Sequence, residues 1–230
     1  MVDVLHAVDH GVGAHIVGNI LWLFGVIVGV FGGVTKQEQI KLLFTDMKQW
    51  ARRTRCKNFL QGELTENRVR TSGKWPKLKA KAAHVRHLSR YALDLVQRFG
   101  SRCEDSTLIL GVFQLLVRFY DILDAGSMFL EPAIAVEVAL VGPGLCRMYS
   151  ELSSRALAAG IKLWKMAPKF HIFCHLCEWQ AREFGNPRFY WTYADEDLVG
   201  LLIDIARTCH PKTLAVNALF KWLHLAFDAE

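Results

Sequence analysis

The sequence predicts a mostly α-helical protein, a bundle of seven to nine helices with one or two short strands. Apolar residues recur at helical spacing in several segments, residues typical of helix ends delimit those segments, and only one short aromatic stretch has the composition of a strand. At 230 residues and 52% apolar composition, the chain is long enough to bury its own core. We expect a single domain, 1–230, with an apolar segment (1–34), a basic helical lobe (35–160) and a segment rich in His, Cys, aromatic and acidic residues (161–230).

The first element is an apolar stretch, Val12–Val34, which carries no formal charge and is interrupted only by His15 and Asn19. Its 23 residues reach the length of a membrane-spanning helix, and Gly25-x-x-x-Gly29 suits close helix packing in lipid. Seven glycines between Gly11 and Gly33, together with the two polar residues, favour a buried core helix, or a helix followed by a turn, in a soluble protein. Both interpretations remain open at this point.

Two amphipathic helices follow. A capping box, Thr35-x-x-Glu38, predicts a helix that runs to about Arg53 with an apolar stripe on one side. The second helix is predicted over 77–99 and ends at Gly100. The residues expected to face inward are Ile40, Leu43, Phe44, Met47 and Trp50 in the first helix, and Leu78, Ala82, Val85, Leu88, Tyr91, Leu95 and Val96 in the second.

Three more helices are predicted in the centre of the chain. Asp105-Ser106 begins one that ends near Asp124, and Glu131-Pro132 begins another that ends near Val141. Pro143 is predicted to begin a separate helix, because proline is favoured in the first turn and disrupts a helix interior.

The C-terminal part is predicted as helix, turn, short strand and two further helices. Pro168 begins the first helix and Gly185-Asn186-Pro187 ends it. The aromatic stretch 188–193 reads as the short strand. Asp195 then begins a helix to Cys209, and Pro211 begins the last one, which ends near Phe227.

Positive charge is concentrated between Lys48 and Arg90, where thirteen Lys and Arg face two Glu, while the rest of the chain is net negative. Such a block suits a polyanion such as DNA or RNA, or an anionic membrane face, although a solvated helical face is the simpler alternative. Six scattered cysteines indicate a reducing compartment, the nucleus or the cytoplasm. The candidate nucleic-acid-binding residues are Arg52, Arg53, Arg55, Lys57, Arg68, Arg70, Lys74, Lys77, Lys79, Lys81, Arg86 and Arg90.

A candidate metal site lies on the helix that begins at Pro168. His171, Cys174 and His175 share one face of it, and two histidines four residues apart can bind one metal ion. Cys174-x-x-Cys177 lacks a distant second pair of ligands, so a structural Zn²⁺ site is not favoured and core packing is the simpler interpretation.

Several short motifs resemble mobile-element proteins. Asp3-Val-Leu-His6, followed by an apolar helix rich in Gly and Val, is similar to the D-x-x-H segment of CACTA-class transposases. The later His-x-x-x-His, Gly-Asn-Pro turn, aromatic run and acidic triplet resemble the end of the same proteins. The block WPKLKAKAAHVRHL, 75–88, also resembles mobile-element-derived proteins abundant in dinoflagellate genomes.

This resemblance implies the C-terminal catalytic half of a ribonuclease-H-like nuclease with a helical insertion. Asp3 would match the second catalytic aspartate and Glu196 the final glutamate. Enzymes of that class hold two Mg²⁺ ions between three carboxylates, and the basic segment 48–90 would follow the phosphates of DNA.

The sequence departs from this pattern at one decisive point, since the first aspartate of the triad would lie upstream of Met1. We therefore expect a transposase-derived nucleic-acid-binding protein or fragment without catalysis of its own and without a cofactor. Two alternatives stay open. One is a single-pass membrane protein anchored by 12–34. The other is a Mg²⁺-dependent nuclease half that is completed by an upstream partner chain.

Overall fold

The computed structural model describes residues 2–57 and 59–227, with the side chains of 194–197 and 225–227 excepted. Nine helices and no strand occur in this described part, which confirms the predicted mostly α class. The helices are α1 (Leu5–Ile27), α2 (Lys36–Arg53), α3 (Glu66–Val69), α4 (Ala82–Phe99), α5 (Ser106–Ala125), α6 (Pro132–Ala158), α7 (Pro168–His175, continued by the π-helical turn Leu176–Gln180 and by Ala181–Glu183), α8 (Tyr193–Arg207) and α9 (Leu214–Phe227).

The chain divides into two compact units, 1–190 and 191–230. In the first unit, α1 is the central helix and packs against α2, α3, α4 and α7, while α5 packs between α4 and α6. Helices from all three predicted segments therefore share one core. The second unit contains α8 and α9, which pack against each other.

The helix α1 differs in its limits from the predicted apolar stretch. It begins at Leu5 and ends at Ile27, with π-helical turns at both ends. It ends there because Gly29, Gly32 and Gly33 adopt positive φ angles of 63°, 78° and 103°, which a continuing α-helix cannot accommodate. Together with α5 and α6, α1 is one of three helices in the described residues that are long and apolar enough to cross a membrane.

The predicted capping box and apolar stripe of α2 are confirmed. The Thr35 hydroxyl accepts a hydrogen bond from the Glu38 backbone N–H at 3.2 Å, and the Glu38 carboxylate accepts one from the Thr35 N–H at the same distance. The predicted inward residues of α2 are all buried, and so are those predicted between 77 and 99. Local capping and helical periodicity were sufficient to predict these features.

Two predicted helix boundaries are wrong. The second helix starts at Ala82 and not at 77, because the backbone of 77–79 is extended and bonds to other parts of the chain. The break expected at Pro143 is absent, and α6 runs through it. The preceding residue, Gly142, packs directly on α7, where an added Cβ would lie 2.7 Å from the Cβ of Cys177. This packing holds the helix together across the missing N–H.

The short strand predicted at 188–193 is also wrong. Residues Pro187–Tyr190 form a 3₁₀ turn, and α8 begins at Tyr193. The Asn186 side-chain oxygen accepts a hydrogen bond from the Arg188 N–H at 3.0 Å, and the Asn186 carbonyl accepts one from the Phe189 N–H. Asn186 therefore closes a turn, and the aromatic composition that favours a strand is overridden.

Candidate nucleic-acid interface

The arginines of the basic segment mostly serve the packing of the helices. On α4, the Arg86 guanidinium is buried and contacts the Asp124 carboxylate of α5 at 2.6 Å. Arg90 contacts Asp121 at 2.5 Å. These pairs hold α4 and α5 together, and binding of a nucleic acid by Arg86 and Arg90 stays a prediction.

Two other arginines tie down the loop between α2 and α4. The Arg68 guanidinium donates to the carbonyl oxygens of Gln61 and Glu63 at 2.8 and 2.9 Å. Arg70 donates to the Lys74 carbonyl and lies 4.9 Å from the centre of the Trp22 ring. The predicted residues Arg52, Arg53, Arg55 and Lys57 lie at the C-terminal end of α2, where Arg53 approaches Asp94 at 3.6 Å.

The lysines behave differently, since Lys74, Lys77 and Lys79 come together in one pocket with Lys165 from the loop before α7. The pocket has a volume of about 660 Å³, and the described residues that line it include no carboxylate. The remaining lining residues are His15, Thr71, Gly73 and Trp75. Lys81 lies just beyond, at the N-cap of α4. We call Lys74, Lys77, Lys79, Lys165 and His15 together the lysine pocket.

Extended backbone explains why Lys77 and Lys79 face the same side. The N–H groups of these two residues donate to the carbonyls of Val69 and Arg68 at 2.9 and 2.7 Å. Between them, Leu78 donates its N–H to the Ala14 carbonyl of α1 and buries its side chain. Alternate residues of an extended segment point in opposite directions, so burial of Leu78 presents both lysines to solvent.

A glycine on α1 lets this extended segment approach. A Cβ added at Gly18 would lie 2.5 Å from the Leu78 nitrogen and 2.7 Å from the Lys77 Cα, closer than packed atoms allow. The pocket therefore depends on a position of α1 without a side chain.

A buried asparagine fixes the other side of the pocket. The Asn19 side-chain oxygen accepts a hydrogen bond from the Trp164 N–H at 2.8 Å, and its amide group donates to the His15 carbonyl at 2.7 Å. Trp164 is buried and has a positive φ of 58°, an uncommon conformation for a residue other than glycine. Asn19 thus holds the backbone immediately before Lys165.

His15 lies at the wall of the pocket in an unusual electrostatic environment. Burial and the charge of Lys77 lower its pKa from 6.5 to about 4, with smaller contributions from Lys165 and Lys169. The Nδ1 of the His15 ring is buried and has no hydrogen-bond partner among the described residues.

Sequence reasoning missed His15, Lys165 and their neighbours Lys162 and Lys169. The Lys162 ammonium donates to the Gly73 carbonyl at 3.3 Å, and Lys169 donates to the His6 carbonyl at 2.6 Å. Burial and the charge of Lys77 lower the pKa of Lys169. A signal existed in the sequence, because the stretch 160–170 contains three lysines and no acidic residue.

Of the two predicted catalytic residues, Asp3 and Glu196, the structure describes the side chain of Asp3. The Asp3 carboxylate accepts two hydrogen bonds from His6, at 3.0 Å from its N–H and 2.7 Å from its ring Nδ1. The side chain of Glu196 lies outside the described residues, and it belongs to the second compact unit. Catalysis by Asp3 and Glu196 stays a prediction.

The predicted metal residues are brought together only in part. The Nε2 atoms of His171 and His175 lie 3.0 Å apart on the exposed face of α7. Cys174 lies beside Cys146 of α6, whose thiol donates a hydrogen bond to the Phe170 carbonyl at 3.5 Å. In the described part of the chain, no group of three or more His, Cys, Asp or Glu side chains has the arrangement of a metal site.

Comparison with family models, with curated proteins and with solved structures finds no match to this chain.

Proposed function

We propose that this protein binds nucleic acid through the phosphates, with the lysine pocket as its principal contact, and that it does so without catalysis of its own. The observation that carries the proposal is the convergence of four lysines on one pocket whose described lining contains no carboxylate. Lysine is a compact, strongly hydrated cation on a flexible stem, and it commonly binds phosphate as a point charge. A nuclear or cytoplasmic location and an origin from a transposase are parts of the same proposal, the latter resting on resemblance alone.

The nearby charges support this function. Lys162 and Lys169 extend the positive surface from the pocket along the loop before α7 and the first turn of that helix. Arg86 and Arg90 of α4 are paired with aspartates of α5, whereas the described lining of the lysine pocket contains no carboxylate. Phosphates of a nucleic acid would replace the missing counter-charge.

A salt series of binding measurements tests the proposal. Fluorescence anisotropy with single-stranded and duplex DNA, and with RNA, should give affinities that fall steeply as salt rises. The double variant Lys77→Gln/Lys165→Gln should bind at least about tenfold more weakly, and its logarithmic salt slope should be smaller by about 1 to 2, because two phosphate contacts are lost.

The matched control removes two lysines that lie away from the pocket. Lys41 is on α2 and Lys212 is in the turn before α9, and both are exposed. The variant Lys41→Gln/Lys212→Gln has the same net charge as the pocket variant and should retain nearly the wild-type affinity. Absence of binding at low salt, or equal losses in the two double variants, would overturn the proposal.

A membrane-associated protein is the second candidate, favoured by the three helices α1, α5 and α6 that are long and apolar enough to span a bilayer. In that case the basic segment 48–90 would lie against anionic lipid. Carbonate extraction of cells that express the full chain separates the two candidates. Retention in the membrane pellet supports the second, and release into the soluble fraction removes it.

A further inference from the structure

The lysine pocket contains one polar atom that phosphate contacts along a strand do not explain. A neutral imidazole has two ring nitrogens that can each take part in a hydrogen bond. The Nδ1 of His15 is buried and has no hydrogen-bond partner among the described residues. A buried ring nitrogen without a partner costs free energy, and in a ligand pocket it indicates that a polar group of the ligand bonds to it.

The positive charge of the lysines around His15 is larger than one anion of charge −1 would balance. Three lysines, Lys77, Lys165 and Lys169, are close enough to lower its pKa, and Lys74 and Lys79 line the same pocket. No carboxylate balances them among the described lining residues. An internal phosphodiester brings one negative charge, whereas a phosphomonoester brings about −1.5 to −2 near neutral pH.

We propose that the lysine pocket binds a terminal phosphate of a nucleic-acid strand, a phosphomonoester, in preference to the phosphodiesters of the strand interior. The inference rests on the proposed nucleic-acid binding and specifies its ligand. The lysines neutralise the doubly charged group, and the neutral His15 ring donates a hydrogen bond from Nδ1–H to one of its oxygens. A phosphodiester carries a single negative charge and leaves more of the lysine charge unbalanced.

The shape and remaining lining of the pocket agree with a terminal nucleotide. Its volume of about 660 Å³ is within the range of small-molecule pockets. The half-buried Trp75 belongs to the lining and offers an aromatic face on which the terminal base can stack. Gly73, with a φ of 70° and open space at its Cβ position, keeps the entrance clear of a side chain.

The test compares two otherwise identical single-stranded oligonucleotides of about 12 nucleotides, one with a 5′-phosphate and one with a 5′-hydroxyl, both labelled at the 3′ end. Wild-type protein should bind the 5′-phosphorylated strand about tenfold more tightly, the effect of one added set of charge-assisted hydrogen bonds. Inorganic phosphate should compete with the phosphorylated strand and reduce the difference in affinity between the two strands. A strand with a 3′-phosphate, labelled internally, shows whether the other end is also accepted.

Three variants locate the effect. His15→Gln keeps a polar group at the wall, and Lys165→Gln changes an exposed loop residue that does not endanger folding. Both should reduce the preference for the 5′-phosphate to about twofold or less. Lys41→Gln on α2 should retain the wild-type preference. Equal affinity of wild-type protein for the two strands would leave nucleic-acid binding intact and overturn this inference alone.

Two further outcomes also decide the question. Absence of binding to either strand would overturn the nucleic-acid function together with the inference. Phosphomonoesters also occur on lipid headgroups, so vesicles of phosphatidylcholine with and without phosphatidylinositol 4-phosphate form a separate arm. Binding to the phosphorylated vesicles in the absence of any preference between the oligonucleotides would contradict a nucleic-acid end as the ligand.

Discussion

At the scale of single residues, the two polar side chains that interrupt the apolar stretch 12–34 are the most informative. In the sequence they only argue against a membrane span. In the structure, His15 lines the lysine pocket and Asn19 is fully buried, bonded to the Trp164 N–H and to the His15 carbonyl. Polar residues in a buried helix are retained where their hydrogen bonds fix a particular arrangement, and here that arrangement is the position of the loop before α7.

The bonds of Asn19 lead to a stability prediction. Asn19→Ala leaves the Trp164 N–H and the His15 carbonyl without this partner and opens a small cavity, so the free energy of unfolding should fall by about 3 kcal/mol. Urea denaturation followed by circular dichroism measures the change. Asn217→Ala, at an exposed position of α9, is the control and should change stability by no more than about 0.5 kcal/mol. A loss below about 1 kcal/mol at Asn19 would contradict this account.

Arginines and lysines of the basic segment make different contacts in the structure, although each counts as one positive charge in the sequence. The guanidinium of Arg86 lies over the Tyr120 ring at 5.1 Å and pairs with Asp124, and the guanidinium of Arg68 bonds to two loop carbonyls. A planar group with five donors suits such fixed internal contacts. The lysines contribute less to the interior, and they remain at the surface as candidates for binding.

At the scale of elements, the close approach of α1 and the extended segment around Leu78 builds the pocket. The approach is possible because Gly18 has no side chain, and it is held by the hydrogen bond from the Leu78 N–H to the Ala14 carbonyl at 2.9 Å. The same contact displaces the start of α4 from 77 to 82 relative to the prediction. A helix over 77–81 would remove the alternation that presents Lys77 and Lys79 together.

Gly18→Ala should therefore affect both stability and binding. The added methyl group meets backbone atoms, which cannot rotate away, so we expect a loss of about 1 to 3 kcal/mol in the free energy of unfolding. The displaced lysines should also weaken oligonucleotide binding in the protein that remains folded.

Gly200→Ala provides the matched control for this substitution. Gly200 is exposed on α8, and nothing lies within 4 Å of an added Cβ. The change should stabilise the helix by about 0.5 to 1 kcal/mol, because alanine restricts the unfolded chain more than glycine does. Equal effects at Gly18 and Gly200 would show that the contact of α1 with the extended segment is not tight.

At the scale of the whole molecule, the arrangement of charge matters more than its total. The first compact unit joins α4 to α5 through Arg86–Asp124 and Arg90–Asp121, and α4 to α2 through the Arg98–Asp46 pair at 2.6 Å. The Arg98 guanidinium and the Tyr91 hydroxyl both bond to Asp46, and the pKa of that carboxyl is lowered although burial opposes the shift. The described lining of the lysine pocket, in contrast, contains no carboxylate that could pair with its lysines.

Stability of the first unit should depend on pH through the buried His84 and the half-buried His15 and His87. Burial lowers the pKa of His15, His84 and His87 below the ordinary value of 6.5, to about 4 for His15. Between pH 6.5 and 4 the unfolded chain therefore binds more protons than the folded one. The contribution of these groups is fully present above pH 6.5 and is lost as the pH falls towards 4.

Denaturant unfolding at a series of pH values between these limits measures this dependence. His15→Gln should flatten the decline, since it removes the group with the lowest pKa of the three. His210→Gln, in the exposed turn before α9, should leave the decline unchanged. A free energy of unfolding that stays constant over this pH range would contradict the burial of neutral histidines.

The sequence by itself determined the helical class, the capping box of α2, and the residues that α2 and α4 bury. These follow from contacts between residues within a few positions of one another, which is why periodicity and end signals predict them. The same local signals fail at Pro143 and at 188–193, where packing on Cys177 and the hydrogen bonds of Asn186 override them.

Only the tertiary structure decided which cations are available to a ligand. Arg86 and Lys77 belong to the same basic block, yet the residues that they meet are distant in the sequence. Asp124, which pairs with Arg86, is 38 positions away, and Lys165, which lines the same pocket as Lys77, is separated from it along the chain by α4, α5 and α6. Contacts between residues so far apart in the sequence depend on how the helices pack, and they are not predictable from composition. The lysine pocket forms because α1 approaches residues 77 and 78 closely at Gly18, and because the Asn19 side chain accepts a hydrogen bond from the Trp164 N–H next to Lys165.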